Sequence, residues 1–204
     1  MLHALFHPNA TWREYALQDG SLAYCEHFLS HADSQRFYGL LLHNISWRQE
    51  PITLFGRRVM QPRLTAWYGD EGRQYRYSGI TMRPQPWTDE LLQLKSLAET
   101  ACGAQFNSVL LNYYRHGNDS MGWHSDDEPE LGINPVIASV SLGAERPFCM
   151  RHRLHRHLRL RLTLGNGSLL VMKNETQHYW QHALPKQPRL TQGRINLTFR
   201  YIIA

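Results

Sequence analysis

Cysteine is scarce in this chain, with three in 204 residues. Cys25, Cys102 and Cys149 are odd in number and far apart, which speaks against a disulfide framework and against a paired-cysteine zinc site. No apolar run approaches the roughly 20 residues that a membrane-spanning helix needs. The opening M-L-H-A-L-F-H-P lacks the basic start and long apolar stretch of a signal peptide. A reducing compartment is therefore expected: cytoplasm, or the nucleus if the source is eukaryotic. Charged residues are only 19% of the chain and hydrophobic residues 42%, which suits a folded protein with a real core. Neither a repeat period nor a long low-complexity tract is visible, so the length predicts one domain.

What the chain does carry is base and histidine. Lys+Arg number 22 against 17 Asp+Glu, the sequence pI is about 9.3, and there are 12 histidines. A basic balance suits a polyanionic partner such as nucleic acid.

The first half reads as mixed and the second as strands. The run from Ser30 to Ile45 predicts a helix with Ser30 or Asp33 at its N-cap. A second helix is predicted after Pro86-Trp87. Thr88 can cap it, Asp89 and Glu90 suit its positive end, Leu91, Leu94 and Leu97 form its apolar stripe, and Gly103 can close it. From Phe106 onward, short runs rich in strand formers are punctuated by Gly, Pro and Asn: S-V-L-L-N-Y-Y, P-V-I-A-S-V-S-L, P-F-C-M-R, G-S-L-L-V-M and R-I-N-L-T-F-R-Y-I-I. Such a series predicts a β-sandwich or barrel. The expected fold is α+β, a jelly-roll core with N-terminal helices packed on one sheet. Residues 1–50 form an extension and helix, 51–87 hairpins, 88–105 a helix and 106–204 the core, all in a single domain 1–204.

The stretch W-H-S-D-D-E, Trp123 to Glu128, sets one histidine among three acids. If it is extended, His124 and Asp126 share a face and Ser125 points away. One imidazole and one carboxylate around a point suit a divalent metal, and a second histidine would complete the open triad used by non-haem iron oxygenases. E-T-Q-H-Y-W-Q-H-A-L-P offers His178 and His182, four apart, and periodicity does not choose between them. His152, His155 and His157 rank lower because arginines surround them.

In R-I-N-L-T-F-R-Y, Arg194, Asn196, Thr198 and Arg200 alternate with Ile195, Leu197, Phe199 and Tyr201. If that polar face lines a barrel interior, its guanidinium groups need an anion, since a buried unpaired charge is very costly. A small dicarboxylate would supply it through paired arginine–carboxylate bonds. Asn112 and Tyr114 share a face likewise and add an amide and a phenol.

Taken together, N-S-V-L-L-N-Y-Y, W-H-S-D-D-E, P-V-I-A-S-V-S-L-G-A, G-S-L-L-V-M, W-Q-H-A-L-P and R-I-N-L-T-F-R resemble the AlkB family of Fe(II)- and 2-oxoglutarate-dependent nucleic-acid dealkylases. The resemblance runs from about Pro51 to the C-terminus and is strongest to members that repair 1-methyladenine and 3-methylcytosine in DNA. It implies a double-stranded β-helix with a substrate-recognition hairpin region. It implies iron ligands His124, Asp126 and His182, and 2-oxoglutarate contacts Asn112, Tyr114, Arg194, Asn196 and Arg200. Arg200 is expected at the distal carboxylate and Arg194 nearer the metal. Tyr113 should face the other side of its strand. The implied reaction consumes O2 and 2-oxoglutarate, hydroxylates the N-alkyl group, and releases formaldehyde, succinate and CO2.

A base inside a duplex cannot reach such a centre, so it must be flipped out or already single-stranded. The resemblance implies Tyr77 and the His124 ring as the stacking pair, with Tyr75 and Ser78 alongside. Glu128, supported by Asp127, would favour the cationic methylated base over the neutral repaired one. Arg151 to Leu162 is the most basic stretch. Arg151, Arg153 and Arg156, with Arg63, are expected at phosphates, and Arg57, Arg58 and Arg73 could add to that surface. The expected partner is alkylated DNA, with RNA as the alternative, met by a monomer without a membrane. A dioxygenase acting on a protein side chain and a non-catalytic nucleic-acid-binding module are competing readings.

Overall fold

The structure is a computed structural model. It describes residues 10–54, 56–72, 75–77, 80–82 and 84–203, without the side chains of 53, 54, 75–77 and 80–82. The chain opens with a hairpin of β1 (Trp12–Leu17) and β2 (Gly20–Cys25) and enters helix α1 (His31–Asn44). Next come β3 (Pro51–Leu54) and β4 (Arg57–Met60), a hairpin, then β5 (Leu64–Gly69), then the hairpin of β6 (Tyr75–Tyr77) and β7 (Ile80–Met82). Helix α2 (Asp89–Cys102) leads into β8 (Ser108–Tyr114), β9 (Met121–His124) and β10 (Ile137–Gly143). After β11 (Arg146–His152), β12 (Arg159–Leu164) and β13 (Ser168–Lys173), the short helix α3 (Thr176–Tyr179) precedes β14 (Trp180–Leu184) and β15 (Arg194–Arg200).

Local chemistry sets the helix ends. Ser30, not Asp33, caps α1, its hydroxyl accepting from the Asp33 N–H at 3.0 Å. Thr88 caps α2 in the same way, and Gly103 ends it in the left-handed region at φ 62°.

Eleven of the described strands form two packed antiparallel sheets, and the hairpins β3–β4 and β6–β7 stand apart from them. The large one runs β1-β2-β13-β10-β15-β8-β5 and the small one β12-β11-β14-β9. This is the jelly-roll expected from the strand-rich second half. The two N-terminal strands were not legible, however. Residues 1–50 read as an extension with a helix, yet β1 and β2 pair with each other and then with β13 at the large sheet's edge. Their mixed residues show no clean alternation, so pairing alone reveals them.

Side-chain alternation divides the large sheet into two faces. Ile195, Leu197 and Phe199 of β15, with Val109 and Leu111 of β8, join Phe37 and Leu41 of α1 and Leu91, Leu94 and Leu97 of α2 in one core. Tyr113 packs on this side too, its ring 5.5 Å from that of Trp47. The opposite face looks into the sandwich. There an apolar cluster including Trp67, Ile137, Phe148, Met150, Met172 and Trp180 fills part of the space. The rest is polar, and that polar part holds the site.

Candidate active site

Three strands of the large sheet set polar groups on its inner face. Register places Asn196 beside both Asn112 and Ser141, and Arg194 beside Tyr114. From the small sheet come His124, at the end of β9, and His182 on β14, paired directly across the strands. Asp126 follows two residues after His124. The chain there is held to its neighbours: Ser125 Oγ donates to the Trp180 carbonyl and the Asp126 N–H donates to Gln177 Oε1, each at 2.9 Å.

The result is a cluster in which one ligand atom from each of His124, Asp126 and His182 lies within 4.8 Å of the others. The two imidazole centroids are 4.1 Å apart. His124 Nδ1 lies 2.9 Å from the Gly122 carbonyl. A carbonyl can only accept, so Nδ1 donates that bond and Nε2 is the nitrogen left for a metal. His178, the alternative four residues earlier, lies exposed on α3, away from the cluster.

Protonation suits a cation. Burial alone would raise Asp126, but Arg200, His182 and His124 outweigh it and hold its carboxyl at about 2. Burial pushes His182 down to about 3, with His124 adding to the shift and Asp126 opposing it. At neutral pH the site therefore offers an ionised carboxylate and a neutral imidazole. Both oxygen and nitrogen donors are right for Fe(II) in a two-histidine, one-carboxylate site with open positions.

The two arginines of β15 lie the other way round from the sequence expectation. Arg200 is at the metal end, its guanidinium 2.8 Å from Asp126 Oδ1 in a buried ion pair. Arg194 is the distant one, six residues and roughly 20 Å of strand away. It is fully buried and donates to Ser141 Oγ at 2.9 Å. Sequence alternation gives both the same face and nothing about which end faces the metal. Strand direction decides that, and it is a property of the assembled sheet.

Among the described residues, Arg194 is a cation without an anion. No carboxylate pairs with it and its Nε has no partner among the described residues. Burial pulls it down to about 10; Tyr114 opposes the shift and nearby Arg146 adds to it. Arg146 was not singled out in the sequence. It is 1% exposed, donates to the carbonyls of Asp119 and Pro185, and lies 5.7 Å from the Tyr114 ring centroid, with Arg194 at 5.5 Å. Two buried guanidinium groups on one phenol make a place for a small carboxylate.

Arg63 does not join the outer basic surface expected for it. It is buried, and its Nε donates to Asn112 Oδ1 at 2.7 Å. That bond orients the amide so that Asn112 Nδ2 is the end left to donate. Asn196 lines the same pocket, but its amide is committed to Ser139, Val140 and Thr198. Gln177 was also missed, because its role passes through the backbone of Asp126.

Outside the sandwich, Asp127 is exposed and paired with Arg153 at 3.1 Å, while Glu128 is half-buried. β12 alternates, with Arg159 and Arg161 exposed and Leu160 and Leu162 turned inward. Arg151, His152, Arg153, Arg156, Arg159 and Gln181 line one outer cavity of about 370 Å3. The side chains of Tyr75 and Tyr77, and the whole of Ser78 and Arg73, lie outside the described residues. Arg57 and Arg58 are exposed on β4.

A family model described as the 2OG-Fe(II) oxygenase superfamily matches residues 21–200. The chain is 42% identical over 187 residues to the alpha-ketoglutarate-dependent dioxygenase alkB homolog 3 of Bos taurus, covering 87% of this chain and 65% of that protein. It is 41% identical over 159 residues to the DNA oxidative demethylase ALKBH2 of Homo sapiens, covering 74% of this chain and 61% of that protein. The chain thus spans less than two thirds of the length of these curated relatives. The solved structure of OsALKBH1 superposes with a TM-score of 0.66 at 16% identity, covering 93% of this chain and all of that one, a likeness of fold. Among the described residues, no helix is long and apolar enough to cross a membrane.

Proposed function

The chain belongs to the 2OG-Fe(II) oxygenase superfamily and is homologous to its AlkB members, and from that premise we propose that it removes alkyl groups oxidatively from nucleic-acid bases. One observation carries the reading: the His124–Asp126–His182 cluster shares a pocket with Arg194, a buried guanidinium that has no anion among the described residues. A metal with a dicarboxylate co-substrate answers both halves of that site at once.

In this reading His124, Asp126 and His182 hold Fe(II). Arg194 takes the far carboxylate of 2-oxoglutarate, with Tyr114 beside it, and Asn112 Nδ2 donates toward the co-substrate. Arg200 orients and neutralises Asp126. Asn196 fixes the spacing of β15 and β10 behind the pocket. The bound iron supplies the oxidation of the alkyl carbon at the expense of O2 and 2-oxoglutarate. The chain's own part is to present lone pairs without first losing protons, to orient the co-substrate and to shield the reacting carbon from water. Tyr75, Tyr77 and Ser78 receive the flipped base, Asp127 and Glu128 favour its cationic form, and Arg151, Arg153 and Arg156 meet phosphates. DNA carrying 1-methyladenine or 3-methylcytosine is the proposed substrate, with methylated RNA the alternative. Cytoplasm or nucleus is the proposed setting, and a monomer the proposed state.

The test is an assay with Fe(II), 2-oxoglutarate and single-lesion DNA and RNA oligonucleotides, with formaldehyde and succinate both measured. Equal amounts of the two, from 1-methyladenine and 3-methylcytosine, are expected. Succinate without formaldehyde on every oligonucleotide would reject nucleic acid as substrate.

A further inference from the structure

The exposed pair of Asp127 and Arg153 links the outer basic cavity to the site. Arg153 Nη1 sits 3.1 Å from Asp127 Oδ2 and 3.1 Å from the His178 carbonyl. Asp127 follows the metal-site residue Asp126 directly. Arg153 also lines the cavity that holds Arg151, Arg156 and Arg159. One side chain thus faces an acid beside the site and a chamber with room for a phosphate.

The other members of the cavity are held by their own contacts. Arg151 donates twice to Gln181 Oε1, at 3.0 and 2.8 Å, and stacks over the Trp123 ring at 4.3 Å. Arg159 Nε donates to the Arg156 carbonyl at 3.1 Å. His152 is buried; its Nδ1 accepts from the Leu154 and His155 N–H groups and its Nε2 faces Asp19 at 3.2 Å. Four arginines line the cavity, and Asp127 is the one carboxylate that pairs with any of them among the described residues. The pair itself is weak, since both side chains are about 40% exposed, at 41% and 38%.

We propose that Arg153 is a specificity-determining residue that a backbone phosphate of the substrate draws away from Asp127. Without a phosphate, Arg153 cancels the charge of Asp127. With a phosphodiester in the cavity, Arg153 turns to an anion that three further arginines also favour. Asp127 then regains its full charge beside the pocket and attracts a cationic base. Phosphate and positive base bind cooperatively, and by linkage each strengthens the other. The device favours damaged bases within a strand over free modified nucleosides. This inference rests on the nucleic-acid reading above.

The experiment compares trinucleotides with a central cationic 1-methyladenine or neutral 1-methylguanine, on ordinary phosphodiester or uncharged methylphosphonate backbones. Anaerobic binding to the protein loaded with Fe(II) and 2-oxoglutarate, and kcat/KM from formaldehyde release, are both read. In the wild type, the preference for the cationic base should be about fivefold greater on the charged backbone, the size of an exposed ion pair. Arg153→Gln should show that preference on both backbones alike, Arg153→Lys should restore the dependence on charge, and Asp127→Asn should lose the preference on both. A wild-type preference independent of backbone charge, or an Arg153→Gln protein that keeps the dependence, overturns the proposal. If no oligonucleotide yields formaldehyde, the nucleic-acid reading itself fails, which is a separate outcome.

Discussion

Asp126 and His182 carry a testable pH signature. The unfolded chain takes up a proton at His182 near 6.5, whereas the folded chain holds out to about 3. Between those values the unfolded state binds more protons, so stability falls as acid is added. Asp126 acts in the same direction from 3.8 down to about 2. The metal-free protein should therefore lose urea resistance steadily from about pH 6.5 downward, and His182→Gln should flatten the upper part of that loss. A denaturation midpoint flat down to about pH 4 would contradict it. At Arg194 the expected effect is on the co-substrate. Arg194→Ala should raise the 2-oxoglutarate dissociation constant roughly 100-fold, as loss of one partner of a buried charge pair does, with iron content unchanged. Calorimetry and metal analysis of the same sample separate the two.

Among the elements, β15 shows what a two-residue period can and cannot say. Its apolar and polar faces were legible from R-I-N-L-T-F-R, and the structure buries Leu197 under α1 and α2 while turning Asn196 and Thr198 inward. Leu197→Ala should cost about 2–5 kcal/mol by calorimetric or urea unfolding, since it empties a fully buried site. The run was read through Ile203, but the strand stops at Arg200, because Asn107 takes both backbone groups of Ile202 with its side chain. Such a stop comes from a residue 95 positions away and leaves no local mark. Gly117 is another remote constraint. A Cβ there would lie 1.7 Å from the Gln187 carbonyl oxygen, where the loop after β8 crosses the loop before β15. Gly117→Ala should lower the melting temperature and loosen metal binding together, because both loops lead into strands that carry site residues.

For the whole molecule, the net positive charge is +5 at pH 7 and part of it is gathered on one outer cavity. Replacing Arg151 and Arg156 by Ala should weaken single-strand binding for damaged and undamaged oligonucleotides alike. The slope of log affinity against log salt should fall by roughly 0.7 for each phosphate that the protein no longer neutralises. An unchanged slope in fluorescence anisotropy titrations would move the strand to another surface.

By itself the sequence determined the strand-rich second half, both helix caps at Thr88 and Gly103, the alternating polar and apolar faces of β15 and the shared face of His124 and Asp126. These follow from short-range geometry, in which residue spacing and side-chain direction are tied. Spacing left His178 and His182 equal and the family resemblance favoured His182, which the folded chain brings to the other two; only the tertiary structure decided that Arg200 and not Arg194 stands at the metal end, and that Arg63 is buried against Asn112. Each of those depends on which strands become neighbours and which way they run, and hydrogen-bonded pairing between distant segments leaves no periodic trace in the chain.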